Sequence, residues 1–480
     1  MSSQRLTYEP ARAASAAGAG PRHAAERQRG RRFQLPAGAA FPLQASITVF
    51  FLAGSAAPTP LYGLYQREWG FSPITTTIVF GVYALAVLVA LLIVGSLSDH
   101  IGRRPVLLAA IAVQAATMLL FATADNVPAL LAARVVQGLA TGAAVGAVGA
   151  GLVDLHRSRG TLANAVAPVT GTATGAIGAG LLVQYLPDPA HLVYLVLLGI
   201  FVVQWIGVAL MAESATPKPG ALAALRPRIS VPAALRGPVL AAIPALIAVW
   251  SLGSFYGSLG PALIGRLAGS QSAVLGGLAL FVLAGAGAVA VVVLRAAPAR
   301  LVMLLGMTTL LAGVGVTLLA IAVSSVGVFL AGTAVAGVGF GAGFQGAIRT
   351  VLPLAAAHER AGVLSALFVV SYLGLGLPGV IAGYLVVHGG GLLASTREYA
   401  VAVMILAALA ILGLARRPRR QSAVAPPAES LTAGRIAAGS RAAGSRAAGS
   451  RAAGSRAAGP GPAPELSRAL VTCAAAAADD

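Results

Sequence analysis

Apolar residues along this chain fall into twelve long runs parted by short polar breaks. The runs cover 41–64, 72–97, 105–124, 127–152, 161–186, 191–212, 237–264, 271–294, 301–323, 326–350, 361–388 and 399–415. A helix needs about 20 apolar residues to cross bilayer hydrocarbon. In lipid every backbone N–H and C=O must be paired within the spanning segment, which favours helices over open strands. The pattern therefore predicts an all-α integral membrane protein with twelve transmembrane helices. Pro58 and Pro60 near the end of the first run predict a broken or kinked last turn.

The longest polar break, 213–236, opens with Glu213, Pro217, Lys218 and Pro219 and reads as a solvated linker. It divides the runs six and six. The expected organisation is a basic tail over 1–38, a six-helix bundle over 39–212, the linker, a second six-helix bundle over 237–416 and a tail over 417–480. The two sets of runs echo each other at an offset near 201. Arg159 and Gly160 open the fifth run as Arg360 and Gly362 open the eleventh, and Gly175 and Gly180 are answered by Gly376 and Gly383. Two related six-span halves are the sequence form of a pseudo-symmetric transporter. Chance accounts for the glycines equally well, since the chain holds 59 of them. Residues 434–459 repeat Arg-Ala-Ala-Gly-Ser, a period of five that suits neither helix nor strand and offers nothing bulky to bury. Disorder is expected for both tails.

Charged residues make up only 10% of the chain, too few to coat a soluble fold. The net charge of +19 raises the question of a nucleic-acid partner, and its placement answers no. With the N-terminus cytoplasmic, twelve basic loop residues fall inside: Arg103, Arg104, Arg157, Arg159, Lys218, Arg226, Arg228, Arg236, Arg295, Arg300, Arg349 and Arg360. Only Arg67, Arg266 and Arg397 fall outside. By the positive-inside rule both termini are expected in the cytoplasm, with the chain multi-pass in the inner (plasma) membrane. The sole cysteine, Cys473, excludes an internal disulfide and a thiolate metal site, so neither metal nor cofactor is expected. Residues 1–38 lack the apolar core of a secretory signal.

The break after the second run reads Gly95-Ser-Leu97-Ser-Asp99-His-Ile-Gly102-Arg103-Arg104. Ionised groups of this density mark a membrane surface. The stretch resembles the signature loop of the major facilitator superfamily of secondary transporters. That resemblance implies two pseudo-symmetric six-helix bundles rocking about a midplane cavity. It also implies that Asp99 meets the N-terminal end of the eleventh span, that Asp154 is the charge-relay acid, and that Arg103 and Arg104 are its partners. These contacts would latch the inner face, with Gly95 allowing close helix approach. An alternative is a static staple of the loop. The second half carries only Arg295 and Arg300 at the matching break, with no acid.

Arg134 is the one charged residue well inside a run, and Gln137 follows one turn later on the same face. Arg134-Val-Val-Gln137-Gly138 resembles the family's fourth-span motif, whose arginine faces the cavity. Snorkelling to the headgroups two turns away is the competing reading. The family's cavity-lining spans are one, four, seven and ten. That resemblance adds Gln44 and Tyr62, Ser254 and Tyr256, and Gln345 as cavity candidates. None of the fourteen acids is mid-span, so no obvious proton carrier exists. Coupling through Asp99 or Asp154, a substrate-borne proton and facilitative transport all stay open. The glycine-rich fifth span, Gly171 to Gly180, is similar to that of drug and metabolite exporters but lacks their Gly-Pro pair, which leaves helix packing as its reading. Clustered acids or a nucleophile–base pair inside the bundle are missing, so no catalytic residue and no enzyme is expected. Efflux of a drug-like compound or metabolite by a monomer is the favoured expectation. Uptake of a sugar or organic acid, and a transport-inactive sensor, are the alternatives.

Overall fold

The computed structural model describes residues 35–227 and 229–416. The C-terminal tail with its repeat, and the N-terminal tail before residue 35, lie outside them. In chain order the helices are α1 (Ala37–Ala56), α2 (Tyr62–Trp69), α3 (Pro73–Val94), α4 (Ser98–Ile101), α5 (Arg103–Ala122) and α6 (Val127–Leu155). They continue as α7 (Arg157–Tyr185), α8 (Pro189–Ala209), α9 (Ala221–Ala224), α10 (Ala233–Ser258) and α11 (Gly260–Ala268). Last come α12 (Ala273–Val293), α13 (Ala299–Ala322), α14 (Val326–Val351), α15 (Arg360–His388) and α16 (Gly391–Ala415). Twelve of these are long and apolar enough to cross a membrane.

Local chemistry sets the ends. Pro73 opens α3 at a position whose N–H needs no helical partner. Asn126 caps α6 by accepting from the Ala129 N–H at 2.8 Å. The first predicted run, 41–64, is two helices: α1 stops at Ala56, the chain turns through the prolines, and α2 follows. The seventh, 237–264, breaks in the same way before Pro261, giving α10 and α11. The last begins at Gly391, eight residues earlier than expected, so Arg397 and Glu398 are exposed on its first turns and not in a loop.

The first six long helices and the last six form two bundles, each with its own apolar core, and these meet along two helix pairs. α3 packs on α15, and α7 packs on α12. Glycine makes both seams possible. A Cβ on Gly277 would stand 2.3 Å from the Ala176 carbonyl, and one on Gly383 would stand 2.1 Å from Thr77 Oγ1. Gly180 and Gly383, paired by the sequence offset, thus occupy corresponding seams. Hydrogen bonds between the bundles run from Thr59 to the Gly257 carbonyl, Arg67 to Gln271, and Ser272 and Ala273 to Gln184. Among the described residues these all lie on the face opposite residues 95–104.

Candidate functional site

On the face carrying residues 95–104, Gly102 adopts φ 101 and ψ 155, a region open essentially to glycine alone. The turn lets the Glu213 carboxylate cap α5, accepting from the N–H groups of Arg103 at 2.8 Å and Arg104 at 3.0 Å. A carboxylate there meets both unpaired donors and the positive end of the helix dipole. The Arg103 guanidinium, nearly buried, bridges Asp99 and Asp154, the latter at 3.3 Å. Gly95 does let α6 come close: a Cβ on Gly146 would stand 3.0 Å from its carbonyl oxygen.

Two expectations for this loop are corrected. Arg104 does not reach Asp154; it donates to the carbonyls of Val208 and Ala209 at the end of α8. Among the described residues, Asp99 makes no hydrogen bond or ion pair with the start of α15. The linker holds that place, with the Ser230 N–H directed to the Gly362 carbonyl at 3.5 Å. The linker also joins the loop itself, through Ser96 to the Ala224 carbonyl and the Lys218 N–H to His100. Replacing Glu213 by Ala is expected to lower unfolding stability by about 1 kcal/mol, as loss of a helix cap does. Gly102→Ala is expected to cost more, since its methyl would also stand 2.5 Å from Glu213 Oε2. Thermal melts of the purified variants in one detergent check the order.

Deeper in the first bundle, Gly138 and Gly142 bring the α6 backbone onto α3; a Cβ on either would stand 2.6 Å from Ala86 or Ala90. That approach sets Tyr83 of α3 beside Arg134. The Arg134 side chain is fully buried, which rules out snorkelling. Its guanidinium donates to the Ser55 carbonyl at 2.9 Å, Gln137 Oε1 at 2.7 Å and the Tyr62 hydroxyl at 2.5 Å. The rings of Tyr62, Tyr83 and Phe121 surround it with centroids 5.4–5.8 Å away. Its Nε has no partner, and no carboxylate among the described residues pairs with it. Arg134, Gln137 and Tyr62 are thus brought together in one buried hydrogen-bonded group.

The other cavity candidates scatter. Gln44 is buried near the loop face, its amide against Met211 Sδ at 3.4 Å, enclosed by α6. Tyr256 turns into the second bundle, its hydroxyl 2.8 Å from Thr333 Oγ1. Ser254 is covered by Gly379 of α15. Gln345 is half-buried with an unpaired Oε1. Near the middle of the second bundle, half-buried Trp250 meets Phe344 at 5.4 Å and Tyr372 at 4.9 Å between ring centroids. Its Nε1 is buried without a partner. This aromatic group escaped the sequence reading, although Trp250 is one of only three tryptophans.

The family model for the Major Facilitator Superfamily matches residues 45–297, more than half of the chain and inclusive of the signature loop and Arg134. The chain belongs to that superfamily. Among solved structures, this facilitator is similar to the crystal structure of the human organic anion transporter MFSD10 (TETRAN). The two share 17% identity at a TM-score of 0.58, over 78% of this chain and 100% of that one. No curated protein sequence matches this facilitator. Its membership makes it a secondary transporter.

Proposed function

We propose that this facilitator exports small organic anions with an apolar body by alternating access, with Arg134 as the receptor for the anionic group. The observation that carries this reading is the buried, acid-free guanidinium of Arg134. An ion in hydrocarbon is costly unless it is paired, and here the protein supplies only neutral acceptors. A substrate carboxylate or sulfonate supplies the missing charge and a bidentate partner. The rings of Trp250, Phe344 and Tyr372 suit the apolar body. The likeness to an organic anion transporter supports the choice of charge.

Residues 95–104 are assigned to the cytoplasmic face by the bias of basic residues, twelve against three. The hydrogen bonds that join the bundles then lie on the outer side, and among the described residues Asp99 makes no hydrogen bond to α15. With no carboxylate mid-span among the described residues, the driving ion travels with the substrate, exchanges for it or binds a boundary acid such as Asp99 or Asp154. Counterflow in proteoliposomes of neutral lipid tests the reading, using 2-naphthoate, glucose and an aromatic amine, with and without a pH gradient. Accumulation of 2-naphthoate alone is the expected result. Flux of glucose or the amine without 2-naphthoate, or no flux at all, contradicts it.

A further inference from the structure

On the outer side a cleft of about 800 Å³ opens between the two bundles. Its walls include α2 and α11, the short helices that follow the proline breaks. Each helix ends on a left-handed glycine, Gly70 (φ 65) and Gly269 (φ 59), and each carries an exposed arginine in its last turn. Those arginines, Arg67 and Arg266, both line the cleft and stand 199 residues apart, the spacing of the two glycines. The positive-inside rule depletes this face of cations, leaving three, and two of the three are here. The acids on the same side, Glu68, Asp125, Asp188 and Glu398, are all absent from the lining.

The cleft also shares a wall with the buried arginine. Tyr62 lines it, and the hydroxyl of the same Tyr62 accepts from Arg134 Nη2. Arg67, moreover, is held by an uncharged partner, Gln271 Oε1 of the other bundle, at 2.5 Å. A carboxylate offers a guanidinium an opposite charge and two oxygens where the amide offers one neutral oxygen, so an anion in the cleft competes for that clasp. We infer that this cleft is a second binding site, an outer vestibule that takes the carboxylate or sulfonate of a small organic anion on Arg67 and Arg266. It lies on the outward path from Arg134, and occupancy loosens the outer seam. The inference rests on the anion reading for its ligand chemistry but concerns different residues.

Isothermal titration of the full chain with 2-naphthoate in a neutral detergent tests it. The wild-type chain is expected to bind two anions, and the Arg67→Gln, Arg266→Gln double variant one. In an Arg134→Gln chain the single remaining site is expected to weaken at least tenfold when Arg67 and Arg266 are also replaced. The neutral 2-naphthamide is expected to show no dependence on the two arginines. One site in the wild type, or a double variant that still binds two, overturns the vestibule, while 2-naphthoate flux by the wild type would still stand. Two sites in the wild type without any flux would instead contradict the transport reading alone.

Discussion

Arg134→Gln is expected to reduce 2-naphthoate flux by ~100-fold while leaving the protein as stable as the wild type. The loss corresponds to about 2.7 kcal/mol, within reach of one charge-assisted contact and its bidentate geometry. The stability expectation follows from comparing magnitudes. The substitution gives up three hydrogen bonds from the charged guanidinium, each worth about 1.5–3 kcal/mol net. It also removes a buried ion that no carboxylate offsets, a penalty of several kcal/mol. The two terms are of similar size and opposite sign, so melting in detergent should move little. Arg134→Lys keeps the charge but loses the planar fork, and should fall between the two. A stable Arg134→Gln chain with full flux would remove the receptor role. A chain that melts early would mark Arg134 as structural.

Gly277→Val is expected to abolish flux while leaving insertion and expression intact. The glycine lies where α12 meets α7, and a Cβ there would stand 2.3 Å from the Ala176 carbonyl and 3.0 Å from its carbon. Backbone cannot yield to that extent, so the outer seam cannot close around a valine. Each bundle has most of its core to itself, the second cluster taking in only Ala56 and Ala176 of the first, which is why folding should survive. Gly285 on the same helix has no atom near its would-be Cβ, so Gly285→Val serves as the control with flux unchanged. Equal flux from the Gly277 and Gly285 variants would show that the seam need not close.

The sequence carried the bilayer solution clearly, because a span must be helical and about 20 residues long whatever surrounds it. It carried the broken first span too, since prolines act locally. Side-chain destinations were less legible. Trp250 and Ser254 lie one turn apart on α10, whereas Ser254 and Tyr256 point about 200° apart at 100° per residue. The resemblance, applied by span and not by helix face, placed Tyr256 beside Ser254 in the cavity, when its hydroxyl in fact serves Thr317 and Thr333. Glu213 was invisible as a cap because its partners lie 109 and 110 residues earlier. The resemblance paired Arg104 with an acid, but its guanidinium donates to the carbonyls at the end of α8. The Asp99 latch depends on which face is closed, and no sequence pattern reports that.

Rocking of the two bundles is most directly tested by paired distances across both faces in one preparation. Cys473, the only native cysteine, is replaced by Ser. Spin labels are then placed at Leu64→Cys and Ala262→Cys on the outer rim, or at Arg157→Cys and Arg295→Cys on the loop face, with and without Gly277→Val. Pulsed electron paramagnetic resonance should find the outer pair lengthened and the inner pair shortened by the valine. Both distances unchanged, or both moving the same way, would contradict alternating access in this protein.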